Sequence, residues 1–214
     1  MTLERHPRIM VTGVSGVGKT HLLEPLRDDP KLSVNVIGFG NSMSDVLRKA
    51  TGAADTPLSS LPLETRQIVQ RRVAREIEAL ADEQPIIIDG HLLVEQAATG
   101  FRVPGIPGEH YQSLDLDGII QIVDDPQRIL DRRMRDQRRY GDRINDLDFV
   151  KEFQSDIRLA CITYSILFGC FFVVFDLRKF ENINDDPNWQ VPRDKIAEQI
   201  IGIVQSIKNE KTYS

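Results

Sequence analysis

Apolar residues in this chain gather into short uninterrupted runs: Ile9–Thr12, Ser33–Phe39, Pro85–Asp89, Gly118–Val123 and Phe171–Asp176. None keeps the strict in–out alternation of a strand with one wet face, so each reads as a strand buried on both sides. Helical stretches alternate with them at Lys19–Leu26, Met43–Ala50, Leu63–Ala81, Pro126–Arg138, Asp146–Phe168 and Arg193–Lys208. Strand–helix alternation of this kind predicts an α/β fold in three layers, a five-stranded parallel sheet with helices on both faces. Pro62 and Pro126 stand where a first-turn proline belongs, and Asp125 is placed to cap the helix behind it.

The longest uncharged stretch, Leu159 to Phe175, covers 17 positions and includes Thr163, Tyr164, Ser165 and Gly169. A spanning helix needs about 20 predominantly apolar residues. The stretch reads instead as a helix end at Phe168, a break at Gly169 and a buried strand from Phe171. Three connections are longer than packing requires: Thr51–Leu61, Gly90–Asp117 and Leu177–Pro192, the last containing Trp189. Loops of this size in an α/β domain are usually functional or irregular insertions.

Composition narrows the picture only modestly. The 214 residues, 41% hydrophobic and 28% charged, fit a single domain spanning 1–214 with a large core. A net charge of −5 carries no general nucleic-acid signature. Cys161 and Cys170 lack metal or redox spacing, and the first residues show no apolar secretory region, so a reducing, cytoplasmic setting without a membrane is expected. Oligomerisation stays open.

The sharpest chemical signal is Gly13-Val14-Ser15-Gly16-Val17-Gly18-Lys19-Thr20. It is a complete phosphate-binding loop, G-x-x-x-x-G-K-[ST], lying between a strand and a helix as the motif demands. Glycines let successive N–H groups curl around phosphate, Lys19 adds a point charge, and the Thr20 hydroxyl is placed for Mg²⁺. Gly13, Ser15, Gly16, Val17, Gly18, Lys19 and Thr20 are therefore the expected ATP contacts.

Further candidates surround it. Asp89 ends an apolar strand and reads either as a Mg²⁺ ligand, directly or through water, or as a turn cap. His91 beside it reads as a substrate contact, an orienting group or loop packing. Gly38-Phe39-Gly40-Asn41-Ser42-Met43 opens a helix at the sheet's carboxyl edge and makes a second anion site, with Arg48 available for a phosphate, or else a plain helix start. Arg128, Arg132, Arg133, Arg135, Arg138, Arg139 and Arg143 crowd one segment. Arginine forks suit phosphate oxygens, but helical spacing prevents all seven from meeting one ligand. A solvated face and an RNA-binding patch are the alternatives.

Taken together these residues resemble the archaeal-type adenylate kinases, a branch of the nucleoside monophosphate kinases. The likeness runs over nearly the whole chain: the phosphate loop, Gly40-Asn41-Ser42-Met43, Leu61-Pro62-Leu63-Glu64-Thr65, Asp89-Gly90-His91, Pro104-Gly105-Ile106-Pro107, Arg132-Arg133 with Arg139, and Ala160-Cys161-Ile162-Thr163-Tyr164. The resemblance implies Mg²⁺-dependent transfer of phosphate from ATP to AMP. It further implies an acceptor segment at about 40–83, a short Arg-rich lid at about 135–145, and Lys19, Arg133 and Arg139 as catalytic groups. The implied acceptor contacts are Gly40, Asn41, Met43, Arg48 and His91. Another small-molecule kinase on the same fold, a P-loop ATPase acting as an assembly factor, and an RNA-directed protein are the competing readings.

Overall fold

A computed structural model describes residues 6–28, 34–51, 58, 61–80, 84–96, 100–106, 112, 114–137, 143–180 and 190–212. Its main sheet contains β1 (Arg8–Thr12), β2 (Asn35–Gly38), β3 (Ile86–Asp89), β6 (Gly118–Val123) and β7 (Phe171–Asp176). These five strands are all parallel, in the order β2-β3-β1-β6-β7. Every residue of β1 and β6 is buried, as double coverage by helices requires. Ile9, Met10, Val11, Ile86, Ile87, Ile88, Ile120 and Ile122 form the centre of the core at 0% exposure.

Among the described elements are helices α1 (Lys19–Asp28), α2 (Phe39–Thr51), α3 (Leu63–Leu80), α4 (Pro126–Arg135), α5 (Leu147–Phe168) and α6 (Gln190–Thr212). Helix α1 packs on α6, α2 on α3, and α4 on α5, which also lies against β6. The predicted α/β layering is the observed one. At the sheet's amino edge, Arg8 N–H donates to the Asp117 carboxylate at 2.7 Å and Asp117 N–H returns a bond to Arg8 O at 2.8 Å. That reciprocal pair sets the register of Ile9 against Gly118.

Local capping chemistry explains several boundaries. Asp125 accepts from the Gln127 and Arg128 N–H groups with Pro126 in the first turn, and Asp146 accepts from Phe149 N–H. The uncharged stretch divides as expected: α5 ends at Gly169, in the left-handed region at φ 65°, and β7 follows. Among the described residues no helix is long and apolar enough to cross a membrane.

Three differences from the sequence expectation matter. Helix α2 starts at Phe39, four residues before the expected Met43, because β2 stops at Gly38. The Gly90–Asp117 connection contains an antiparallel hairpin, β4 (Leu93–Gln96) with β5 (Phe101–Pro104). Helix α4 ends at Arg135, short of Arg138, and both Trp189 and Pro107 lie outside the described residues.

The hairpin is stapled to α5 through Arg102. Its guanidinium pairs with Asp156 and with Glu152 at 3.2 Å, and lies 5.1 Å from the Phe149 ring centre. Because nothing stands within 4 Å of a Cβ at Gly169, a Gly169→Ala change meets only the backbone penalty of a left-handed residue. It should cost about 1 kcal/mol, read as a shifted urea midpoint with an unchanged slope.

Candidate active site

The reversal of strand order around β1 opens a crevice at the carboxyl edge of the sheet, where α/β folds bind ligands. The phosphate loop fills it. Buried Val14 and Val17 pin the loop into the core, while Gly16 and Gly18 take φ values of 86° and 100°. Lys19 is 6% exposed, with its ammonium donating to Gly13 O at 3.3 Å. Thr20 Oγ1 donates to Asp89 Oδ2 at 2.8 Å, so the end of β3 meets the start of α1.

His91 lies against the same carbonyl. Its Nδ1 is 2.9 Å from Gly13 O, which can only accept, and its Nε2 is 3.4 Å from Lys19 Nζ. A ring donating from Nδ1 leaves Nε2 as the acceptor for the ammonium. The lysine is thus parked between a carbonyl and an imidazole.

Two consecutive arginines of α4 hold the loop from behind. Arg132 Nε donates to Gly16 O at 3.0 Å, and its guanidinium pairs with the fully buried Asp124 carboxylate. Arg133 is 0% exposed. Its Nε donates to Ser15 O at 2.9 Å, Nη1 to Ile144 O at 2.8 Å and Nη2 to Glu95 Oε2 at 3.3 Å. Gly16 is needed for this packing, since a Cβ there would stand 2.9 Å from Arg133 Cγ.

Two hollows meet at this point. One, of about 310 Å³, is lined by Ser15, Gly18, Lys19, Thr20 and Asp89. The other, of about 210 Å³, lies between α2, α3 and the hairpin, with Gly40, Met43, Arg66, Gln70 and Glu95 on its wall. His91 and Arg143 line both. Burial, and then the like charge of Arg143, draw the Arg66 guanidinium below its ordinary pKa. Arg66 and Arg143 thus set two guanidinium groups on this wall, where Glu95 also lies. A larger hollow of about 480 Å³ at the end of β6 has a mixed lining, including Asp124, Lys151 and Arg158, and none of the phosphate-loop residues.

The structure therefore brings Lys19, Thr20, Asp89 and His91 together and sets Gly40 and Met43 on the adjoining wall. Asn41 is exposed and off that wall. Arg48 requires correction as an acceptor contact: it is exposed on α2 and pairs with Asp45 at 2.6 Å. Five residues of helix turn it about 140° from Met43, which faces the cavity. Arg133 requires correction as a catalytic group, because it is fully enclosed and its three guanidinium nitrogens are engaged by the protein behind the loop. Arg139 and the middle of the expected lid, residues 138–142, lie outside the described residues.

Arg66, Gln70 and Glu95 were not among the sequence candidates, and Arg143 stood out only as a member of the arginine segment. A signal existed for the first two. Arg66, Gln70, Val73 and Ile77 recur at helical spacing, and all four are buried. Polar groups on an otherwise apolar helix face mark a site or a buried network. Gln70 donates to Gly105 O and so ties α3 to the end of the hairpin.

The chain is similar to several known proteins. A family model described as an AAA domain matches residues 12–149. The adenylate kinase of Methanococcus vannielii is 30% identical over 165 residues, spanning 75% of this chain and 84% of that protein. The adenylate kinase of Pyrococcus abyssi is 31% identical over 160 residues, 74% of this chain and 80% of that one. Among solved structures, the shikimate kinase of Bacteroides thetaiotaomicron superposes with a TM-score of 0.53 at 14% identity, over 93% of this chain and 98% of that chain. The last likeness concerns the fold alone.

Two substitutions separate the buried clamp from the surface pair. Arg133→Ala leaves the Glu95 carboxylate buried without its cation and should cost about 3–5 kcal/mol. Arg48→Ala removes an exposed pair and should cost about 0.5 kcal/mol or less. Denaturant unfolding of both variants checks the contrast, and equal small losses would refute the clamp.

Proposed function

We propose that this chain, which belongs to the adenylate kinase family and carries the AAA-domain match over most of its sheet, transfers the terminal phosphoryl group of ATP to AMP across the wall shared by its two hollows. The products are two molecules of ADP. The observation that carries this reading is that His91 and Arg143 line both the phosphate-loop hollow and the cationic cavity beside it. Donor and acceptor phosphates can thus stand side by side.

The chemistry needs no covalent nucleophile, because an oxygen of the acceptor phosphate attacks the γ-phosphorus as the bond to the leaving ADP breaks. What the protein supplies is position and neutralising charge. ATP phosphates enter the loop of Gly13 to Thr20, and Lys19 exchanges its contacts with Gly13 O and His91 for the β/γ-oxygens. Arg66 takes the acceptor phosphate, Met43 packs on the base, Gly40 lets the backbone approach, and Arg143 stands between the two substrates. His91 keeps Lys19 and the acceptor wall in register. Arg139 belongs to the lid at about 135–145, which closes to exclude water that would otherwise hydrolyse ATP.

The Thr20 hydroxyl and Asp89 carboxylate, already bonded to one another, fit Mg²⁺: two oxygen donors leave the remaining positions to phosphate and water, as this ion prefers. Among the described residues no cluster of three or more His, Cys, Asp or Glu competes for a metal. When bound, the ion supplies charge neutralisation at the transferring phosphoryl group. The 1–214 chain acts as one kinase unit in this reading, with the acceptor segment at about 40–83 supplying α2 and α3.

ADP formation from ATP with AMP, CMP, UMP or GMP added singly tests the proposal, and AMP should be the preferred acceptor. ATP hydrolysis indifferent to every monophosphate would overturn it in favour of an ATPase. Lys19→Ala should lower turnover by about 10²–10³-fold with the circular dichroism unchanged. Arg66→Ala should raise the KM for AMP by about 10- to 100-fold and leave that for ATP in place, as expected for a lost charge-assisted bond. Arg48→Ala should change neither constant. Asp89→Asn should raise the Mg²⁺ concentration needed for half-maximal rate more than it weakens ATP binding.

A further inference from the structure

Glu95 is a carboxylate on a four-residue hairpin strand, yet it is only 2% exposed and lies on the wall of the acceptor cavity. Its contacts reach in three directions. Oε2 takes Arg133 Nη2 at 3.3 Å, Oε1 accepts the Ile144 N–H at 3.2 Å, and its backbone carbonyl accepts Arg143 Nη1 at 3.0 Å. Arg133 closes the circuit, donating to Ile144 O at 2.8 Å and to Ser15 O at 2.9 Å. One buried side chain therefore joins the segment bearing Arg143 to the back of the phosphate loop.

From this arrangement we infer that Glu95 is a positioning residue that couples occupancy of the acceptor cavity to the phosphate loop. A trans peptide holds its C=O and N–H on opposite sides. With Ser15 O drawn back to Arg133, the Gly16 N–H of the same peptide is turned away from Arg133, toward the loop's hollow. An anion that engages Arg143 pulls on residues 143 and 144, both of which hang on Glu95. The carboxylate passes that displacement to Arg133, and Arg133 passes it to the Ser15–Gly16 peptide. The path lies inside buried, charge-assisted bonds, which tolerate little slack. A Glu95→Gln change would keep the shape and the acceptor for Ile144 N–H but would remove the charge that anchors Arg133.

This inference rests on the acceptor reading of the cavity, and calorimetry can separate the failure of either. AMP is titrated into the full chain alone and into the chain saturated with a non-hydrolysable ATP analogue. Wild type should show AMP affinity raised about fivefold or more by the analogue, within the usual range of intersite coupling. In Glu95→Gln that factor should fall to about one. The Glu95→Gln, Arg133→Met double variant leaves no lone buried charge and guards against simple unfolding. It should be folded by circular dichroism and equally uncoupled. Coupling retained in either folded variant overturns the role of Glu95, as does a wild type whose two sites ignore each other while ADP is still formed. A wild type that binds no AMP and forms no ADP from ATP and AMP overturns the acceptor reading itself.

Discussion

A loop that turns its N–H groups inward around phosphate must turn carbonyls outward, and those carbonyls need donors. Everything distinctive about this active site follows from how that demand is met. Gly13 O receives Lys19 and His91, Ser15 O receives Arg133, and Gly16 O receives Arg132. Each arginine is held in turn by a buried carboxylate, Glu95 or Asp124. Buried guanidinium–carboxylate pairs are a poor source of net stability because both ions lose their water. Their value here is geometric: they hold the loop open in the shape that an anion requires, before any anion arrives.

The same sharing of parts joins the two hollows. The hairpin of β4 and β5 supplies Glu95, is stapled to α5 by Arg102, and is tied to α3 by the bond from Gln70 to Gly105 O. It walls the cavity beside the phosphate loop with elements that also brace that loop. Arg66 and Arg143 repel each other across this cavity, and a bound phosphate relieves that repulsion.

Burial sorts the arginines more sharply than sequence spacing could. Arg133 is fully enclosed, Arg132 is mostly enclosed against Asp124, and Arg128 is partly exposed beside the same carboxylate. Sequence spacing showed only that all seven arginines of the segment cannot meet one ligand. In the fold, neighbours on one helix divide between loop support and the rim, because successive helical residues turn about 100° apart.

What the sequence determined by itself is the part governed by local chemistry. Uninterrupted apolar runs specify doubly covered strands, Asp125-Pro126 specifies a helix start, Gly169 specifies a helix end, and the eight-residue phosphate motif specifies its own bend through its glycines. Asp89 was expected beside the phosphate loop because it ends an apolar strand, and its carboxylate accepts from the Thr20 hydroxyl at the start of α1. Only the tertiary structure decided the rest. It placed Arg48 in solvent, about 140° around α2 from Met43, and set Arg66 of α3 on the cavity wall. It also assembled Glu95, Arg133 and Ile144, which are 38 and 11 residues apart along the chain and share no local pattern. Contacts of that range come from chain topology and packing, and the enclosure that makes such charges consequential exists only once the sheet and helices have closed around them.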